Sequence, residues 1–123
     1  MDEKKILVID DDPIILDIYA RKLKDEHLAV RCIADTEATT EYVAEYAPSL
    51  ILLDIAMPHK DGLTILKELK ENPATKAIKV ILLTNNAGKD DIQQGLSLGA
   101  EDYILKVIHT PGEVVEKVKK FLR

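Results

Sequence analysis

Ser49-Leu50-Ile51-Leu52-Leu53-Asp54 is the stretch whose reading decides the fold. Four large apolar residues in succession do not alternate, as a half-exposed strand must. They read as a strand covered on both faces. The run stops on a carboxylate, and Pro58 shortly after cannot extend a central ladder. Asp54 is therefore expected at the carboxyl end of a central strand, the edge where open parallel sheets collect ligand chemistry. A lone aspartate there is often only a turn former, so the ends of the other strands must decide its role.

Two further runs share the pattern. Ile6-Leu7-Val8-Ile9 closes on Asp10, Asp11 and Asp12, and Val80-Ile81-Leu82-Leu83 closes on Thr84. Ala29 to Ile33 is interrupted by Arg31, and Tyr103-Ile104-Leu105 is short and ends on Lys106, so both read as edge strands. Helical spacing fills the intervals. The first helix is capped by Asp12 with Pro13 in its first turn, and it turns Ile15, Ile18, Tyr19 and Leu23 inward. The second runs from a cap at Asp35 or Thr36 to about Tyr46, with Ala38, Val43 and Ala47 as its stripe. The third spans about Leu63 to Glu71. The fourth spans about Asp90 to Leu98, anchored by Ile92 and Leu96 around an unfavourable Gly95. The fifth opens with the capping box Thr110–Glu113 and Pro111, and its apolar side is Val114, Val115, Val118, Phe121 and Leu122. Strand and helix alternate five times. This predicts one α/β domain over residues 1–123, a doubly wound five-stranded parallel sheet, and right-handed crossovers give the order 2-1-3-4-5.

The chain is 46% hydrophobic and 32% charged, with a net charge of -5, which argues against a nucleic-acid-binding face. No apolar run approaches a membrane span, and Met1-Asp2-Glu3-Lys4-Lys5 is no secretory leader. Cys32 is the only cysteine, so neither an intrachain disulfide nor a thiolate cluster can form. A small core residue is the reading, and the cytoplasm the expected location. His27, His59 and His109 share no ligand spacing and read as solvated loop residues.

The strand order carries the chemistry. It places Asp10 and Asp11 on one side of Asp54, Thr84 on the other, and Lys106 one strand further. Carboxylates about 5 Å apart repel by roughly 3 kcal/mol per pair at an effective dielectric of about 20. An all-oxygen cluster of this kind suits a hard cation, and Mg2+ is the usual one where phosphate is handled. Thr84 and Lys106 add the hydroxyl and positive charge that phosphoryl oxygens require. A carboxylate can itself be the nucleophile and form an acyl phosphate.

With these residues in place, the whole chain resembles the receiver domain of two-component response regulators, in particular the single-domain, chemotaxis-regulator-like members of flavodoxin-like fold. The likeness rests on Lys5-Ile6-Leu7-Val8-Ile9-Asp10-Asp11-Asp12-Pro13, on Leu53-Asp54-Ile55-Ala56-Met57-Pro58-His59-Lys60-Asp61-Gly62, on Leu83-Thr84, and on Gly99-Ala100-Glu101-Asp102-Tyr103-Ile104-Leu105-Lys106. The resemblance implies that Asp54 accepts a phosphoryl group from a sensor histidine kinase or phosphotransfer protein. It implies Mg2+ held by Asp11, Asp54 and the Ala56 carbonyl, with Asp10 acting through water. Thr84 and Lys106 would hold the phosphoryl oxygens, Thr84 and Tyr103 would form the switch, and helix 4, strand 5 and helix 5 would meet an output protein of unknown identity. Such a chain is a phosphoacceptor and not a turnover enzyme. Two positions depart from the family pattern. Val107 replaces the usual proline after the lysine, so a trans Lys106–Val107 bond is expected, and Asn85 replaces a small residue. The competing readings are a haloacid-dehalogenase-type phosphatase with Asp10 as nucleophile, a receiver-like docking module that is never phosphorylated, and a flavin binder of the same strand order. Against the last, the chain lacks an obvious phosphate loop after strand 1 and has no Trp.

Overall fold

In the computed structural model, which describes residues 4–34, 39–57, 61–85, 89–106 and 109–122, strands and helices alternate throughout. The strands are β1 (Lys5–Ile9), β2 (Ala29–Ile33), β3 (Leu50–Asp54), β4 (Lys79–Thr84) and β5 (Asp102–Leu105). The helices are α1 (Pro13–Asp25), α2 (Thr39–Tyr46), α3 (Gly62–Glu71), α4 (Lys89–Ser97) and α5 (Pro111–Leu122). All the strands pair in parallel, in the order β2-β1-β3-β4-β5. The predicted doubly wound sheet is the observed one.

Its two faces are sorted by the period-two alternation of side chains. Ile6, Val8, Leu50, Leu52, Ile81, Leu83 and Ile104 pack with Tyr19 and Leu23 of α1 and with Val114, Val115 and Val118 of α5. Leu7, Ile9, Ile51, Leu53, Val80 and Leu82 face Val43 of α2 and Leu63, Leu66 and Leu69 of α3. Apolar side chains on both parities explain why the three central strands read as continuous runs.

Three helix expectations are corrected. Ile18 stays 39% exposed, because α1 rests on Tyr19 and Leu23. Ala47 lies beyond α2 in a left-handed conformation, φ 52°, and its N–H donates to the Val43 carbonyl at 2.9 Å. It ends the helix and does not line it. In α4, Leu96 is 39% exposed and Gly95 is the buried contact. A Cβ on Gly95 would lie 2.2 Å from Leu82 Cδ1, so the glycine lets the helix axis approach the sheet. The expected cap at Asp35 or Thr36, together with Ala38, Pro58, His59 and the Lys106–Val107 bond, lies outside the described residues.

The free side of β5 is closed by side chains. Lys106 N–H bonds the Thr84 carbonyl at 2.8 Å, so alternation turns the peptide groups of Tyr103 and Leu105 away from β4. Tyr103 N–H donates to Asp102 Oδ1 at 2.7 Å and its carbonyl accepts from Lys117 Nζ at 3.0 Å. Leu105 N–H donates to His109 Nδ1 at 2.9 Å, and its carbonyl accepts from the His109 N–H at 2.8 Å.

The start of α3 packs closely against the end of β3. Gly62 N–H donates to the Ile55 carbonyl at 2.9 Å, and a Cβ there would meet the Asp54 carbonyl oxygen at 2.1 Å and Ile55 Cα at 2.7 Å. Both obstacles are backbone, so neither can rotate aside. Gly62→Ala is expected to destabilise the fold by about 3 kcal/mol in urea titration. Gly112→Ala, whose new Cβ meets nothing closer than 3.8 Å, is expected to be neutral or stabilising. Equal stabilities for the two variants would refute the packing argument.

Candidate functional site

The Asp10-Asp11-Asp12 turn is tied by its own carboxylates. Asp10 N–H extends the ladder to the Ile33 carbonyl at 3.2 Å. Asp10 Oδ1 accepts from Asp12 N–H at 2.9 Å, and Asp12 Oδ1 caps α1 by accepting from Ile14 N–H at 2.9 Å. Asp10 is fully buried, whereas Asp11 is exposed. On the neighbouring strand β3, Asp54 Oδ1 accepts from Ala56 N–H at 3.2 Å, a local bond of the same kind. One carboxylate oxygen from each of Asp10, Asp11 and Asp54 lies within 4.8 Å of the others.

The Lys106 ammonium enters this cluster. Nζ lies 2.5 Å from Asp10 Oδ2 and 3.5 Å from Asp54 Oδ1, with only 5% of the lysine side chain exposed. The contact with Asp10 is an ion pair without hydrogen-bond alignment, since among the described residues Oδ2 has no hydrogen-bond partner. The convergence follows from parity. Asp10, Asp54 and Lys106 continue the even positions of β1, β3 and β5, on the face covered by α1 and α5. Thr84 continues the parity of Val80 and Leu82 and so belongs to the opposite face, where Tyr103 packs half-buried against the α2 and α3 layer. Register sets Tyr103 beside Leu82 and Leu105 beside Thr84. The sheet thus brings Asp10, Asp11, Asp54 and Lys106 into one cluster, with Thr84 buried at the end of the intervening strand.

Two residues had a larger part than their sequence context suggested. Tyr19 reads as a core residue, yet its phenol is pushed up to about 12 by burial and then by the nearby charges of Asp10 and Asp54. It forms a neutral wall beside the carboxylates. His109 is corrected outright. It is partly buried, and its imidazole is engaged with the Leu105 backbone. No periodicity marks such a residue, because the partner is a strand edge and not an apolar layer. His27 is exposed, as expected, and occupies a left-handed turn position, φ 63°. Cys32 is half-buried, with its Sγ 3.7 Å from the Leu16 carbonyl.

Burial dominates the electrostatics of Asp54. It raises the carboxyl from 3.8 to about 6, with the Lys106 charge opposing and the Asp10 charge reinforcing the shift. Between those two values the folded chain holds more protons than the unfolded one. The stabilisation from protonating Asp54 is complete below pH 3.8 and is lost as pH rises through about 6. In EDTA, Asp54→Asn should therefore gain stability over wild type as pH rises from about 4.5 to about 7.5, by on the order of 1–3 kcal/mol in urea titration. A difference that does not change with pH would count against a raised carboxyl.

The comparisons with known proteins agree with this geometry. The family model for the response regulator receiver domain matches residues 6–119. The transcriptional regulatory protein AruR of Pseudomonas aeruginosa is 36% identical over 97% of this chain and 49% of its own length. The response regulator PleD of Caulobacter vibrioides is 38% identical over 85% of this chain and 23% of its own length. This chain thus spans about half or less of these curated relatives. Among solved structures, the BeF3-activated N-terminal receiver domain of Klebsiella pneumoniae RstA superposes with a TM-score of 0.86 at 30% identity, covering 98% of this chain and 99% of that one. A CheY-like receiver domain protein from Methanospirillum hungatei gives 0.89 at 29% identity, covering 98% and 94%. With its fold, its acidic cluster and these relatives taken together, the chain belongs to the response regulator receiver domain family, the phosphorelay receivers of two-component signalling.

Proposed function

We propose that Asp54 is the phosphoacceptor and that the whole of residues 1–123 acts as one receiver. The observation that carries this is the Lys106 ammonium lying between Asp10 and Asp54, 3.5 Å from the latter. That charge stands where the oxygens of an arriving phosphoryl group would need it. In the proposed reaction an Asp54 oxygen attacks the phosphorus of a phosphohistidine on a sensor histidine kinase or phosphotransfer protein. The P–N bond breaks, the acyl P–O bond forms, and the imidazole leaves with a proton. Lys106 and Thr84 hold the transferred oxygens.

The carboxylates of Asp10, Asp11 and Asp54 suit a hard divalent cation by donor type and spacing. Asp10 Oδ2 pairs with Lys106 and makes no hydrogen bond among the described residues, so Asp10 fits an outer position that acts on the ion through water. Mg2+, held by Asp11, Asp54 and the Ala56 carbonyl with Asp10 acting through water, would supply positive charge that offsets the growing negative charge on the phosphoryl oxygens. The phosphatase reading requires Asp10 as nucleophile. Its Oδ1 is taken by Asp12 N–H and its Oδ2 by Lys106, in a fully buried residue, so Asp54 is the better nucleophile. The lone thiol suits a reducing cytoplasm, and no described helix is long and apolar enough to cross a membrane.

Acetyl phosphate with Mg2+ should label the chain once, and peptide mapping should find the label on Asp54. Asp54→Ala and chelation by EDTA should each abolish labelling. A label on Asp10, or undiminished labelling in EDTA, defeats the proposal.

For the switch we propose Thr84 and Tyr103, which share one face of adjacent strands, with α4, β5 and α5 as the surface that an output protein reads. Two features favour α4 as the mobile part: it seats on Gly95, and Leu96 stays 39% exposed. Labelling of Asp54 should change amide exchange in α4 more than in α1 or α3. Tyr103→Ala should label normally yet lose that change. Unaltered exchange in labelled wild type would exclude this surface.

A further inference from the structure

Where the lysine-bearing strand meets α5, the imidazole of His109 makes a contact that the proposed chemistry does not use. Its Nδ1 accepts the Leu105 N–H at 2.9 Å, and its own backbone N–H reaches the Leu105 carbonyl at 2.8 Å. Leu105 is the last residue of an edge strand and immediately precedes Lys106. On the inner side, Lys106 N–H is held by the Thr84 carbonyl at 2.8 Å. The end of β5 is therefore fastened from both sides, whereas an edge strand normally frays at its end. From this geometry we infer that His109 is a positioning residue for Lys106, and that it holds the lysine in the acidic cluster only while its imidazole is neutral.

The tautomer follows from the donor. A nitrogen that accepts from an amide N–H carries no proton, so neutral His109 must carry its proton on Nε2. A proton added to Nδ1 abolishes that acceptor and puts two N–H groups face to face. Among the described residues, the backbone acceptor that Nδ1 reaches is the Leu105 carbonyl, at 3.2 Å and already used by the His109 N–H. The charges around it come from two elements. Glu113, Glu116, Lys117 and Lys120 of α5 line the same cavity as His109, and Lys117 is committed to Asp102 at 3.2 Å and to the Tyr103 carbonyl at 3.0 Å. On the strand side stand Asp102 and Lys106. The inference rests on the reading of Asp54 as phosphoacceptor for its effect on rate, but the anchoring contact can be observed without it.

Three proteins test it: wild type, His109→Asn and His109→Ala. The asparagine amide oxygen can take the place of Nδ1 as acceptor and has no proton to gain in this range. At about pH 7.5, acetyl phosphate with Mg2+ should label His109→Asn at close to the wild-type rate. His109→Ala should be slower by on the order of threefold to tenfold, the worth of one hydrogen bond. From about pH 7.5 to about pH 5.5 the ratio of wild-type to His109→Asn rate should fall at least about threefold. Taking the ratio cancels the titration of Asp54, which the two proteins share. Long-range 1H–15N spectra of wild type at the higher pH should show the Nε2–H tautomer. A Nδ1–H tautomer, or equal rates for all three proteins with a constant ratio while Asp54 is labelled, overturns this inference alone. Failure of Asp54 to label in any of them overturns the reading of Asp54 and the claimed rate effect, leaving the tautomer to decide the anchor.

Discussion

The ion pair between Lys106 and Asp10 forms where water is nearly absent, at side-chain exposures of 5% and 0%. Opposite charges there attract strongly, but each has given up its hydration, so the pair is held more by mutual need than by net stabilisation. One ammonium facing two carboxylates cannot satisfy both. Lys106 lies closer to Asp10, and Asp54 is left under-compensated, with its carboxyl raised to about 6. The rest of the site follows from this imbalance. A group that brings positive charge to Asp54 relieves it, and a phosphoryl group that draws Lys106 across must compete with Asp10. Among the described residues, Lys106 is the cation beside Asp54, and the fold lends it mainly to Asp10.

The sheet does a second job by sorting residues to faces. The charges gather on the side packed by α1 and α5, while Thr84 and Tyr103 belong to the other. A hydroxyl at the end of β4 stands between them. Any displacement of Thr84 toward the charged side is felt by the layer in which Tyr103 sits, because neighbouring strands share register and side-chain rows. Under the proposed switch, signal transfer from one surface to another would be a geometric property of strand alternation. It needs no long chain of intermediates.

Much of this was readable in the amino acids because it depends on periodicity. Continuous apolar runs at Ile6, Leu50 and Val80 can only be doubly covered strands, and their terminal residues Asp10, Asp54 and Thr84 then fall at one edge whatever the loops do. Lys106 was legible for the same reason. What escaped was set by close approach and by backbone. Gly95 reads as a helix defect until Leu82 is seen against it. Ile18 and Leu96 fit a helical stripe, yet no described neighbour covers them fully, and each stays 39% exposed. Ala47 looks helical by type but takes the left-handed turn that ends α2. His109 bonds a peptide group, and composition carries no record of which peptide groups a strand edge leaves open.

The side chains along β5 also govern how this protein meets copies of itself. A sheet edge with open peptide groups invites another chain to add a strand, the first step toward fibrils and amorphous precipitates. Here the outward amide and carbonyl groups of Tyr103 and Leu105 are taken by Asp102, Lys117 and His109. An intruding strand must first displace an ammonium, a carboxylate and an imidazole from bonds they already make. Strand pairing across that border is therefore costly for a second copy of this chain, and the edge is a poor template for assembly that propagates from one copy to the next.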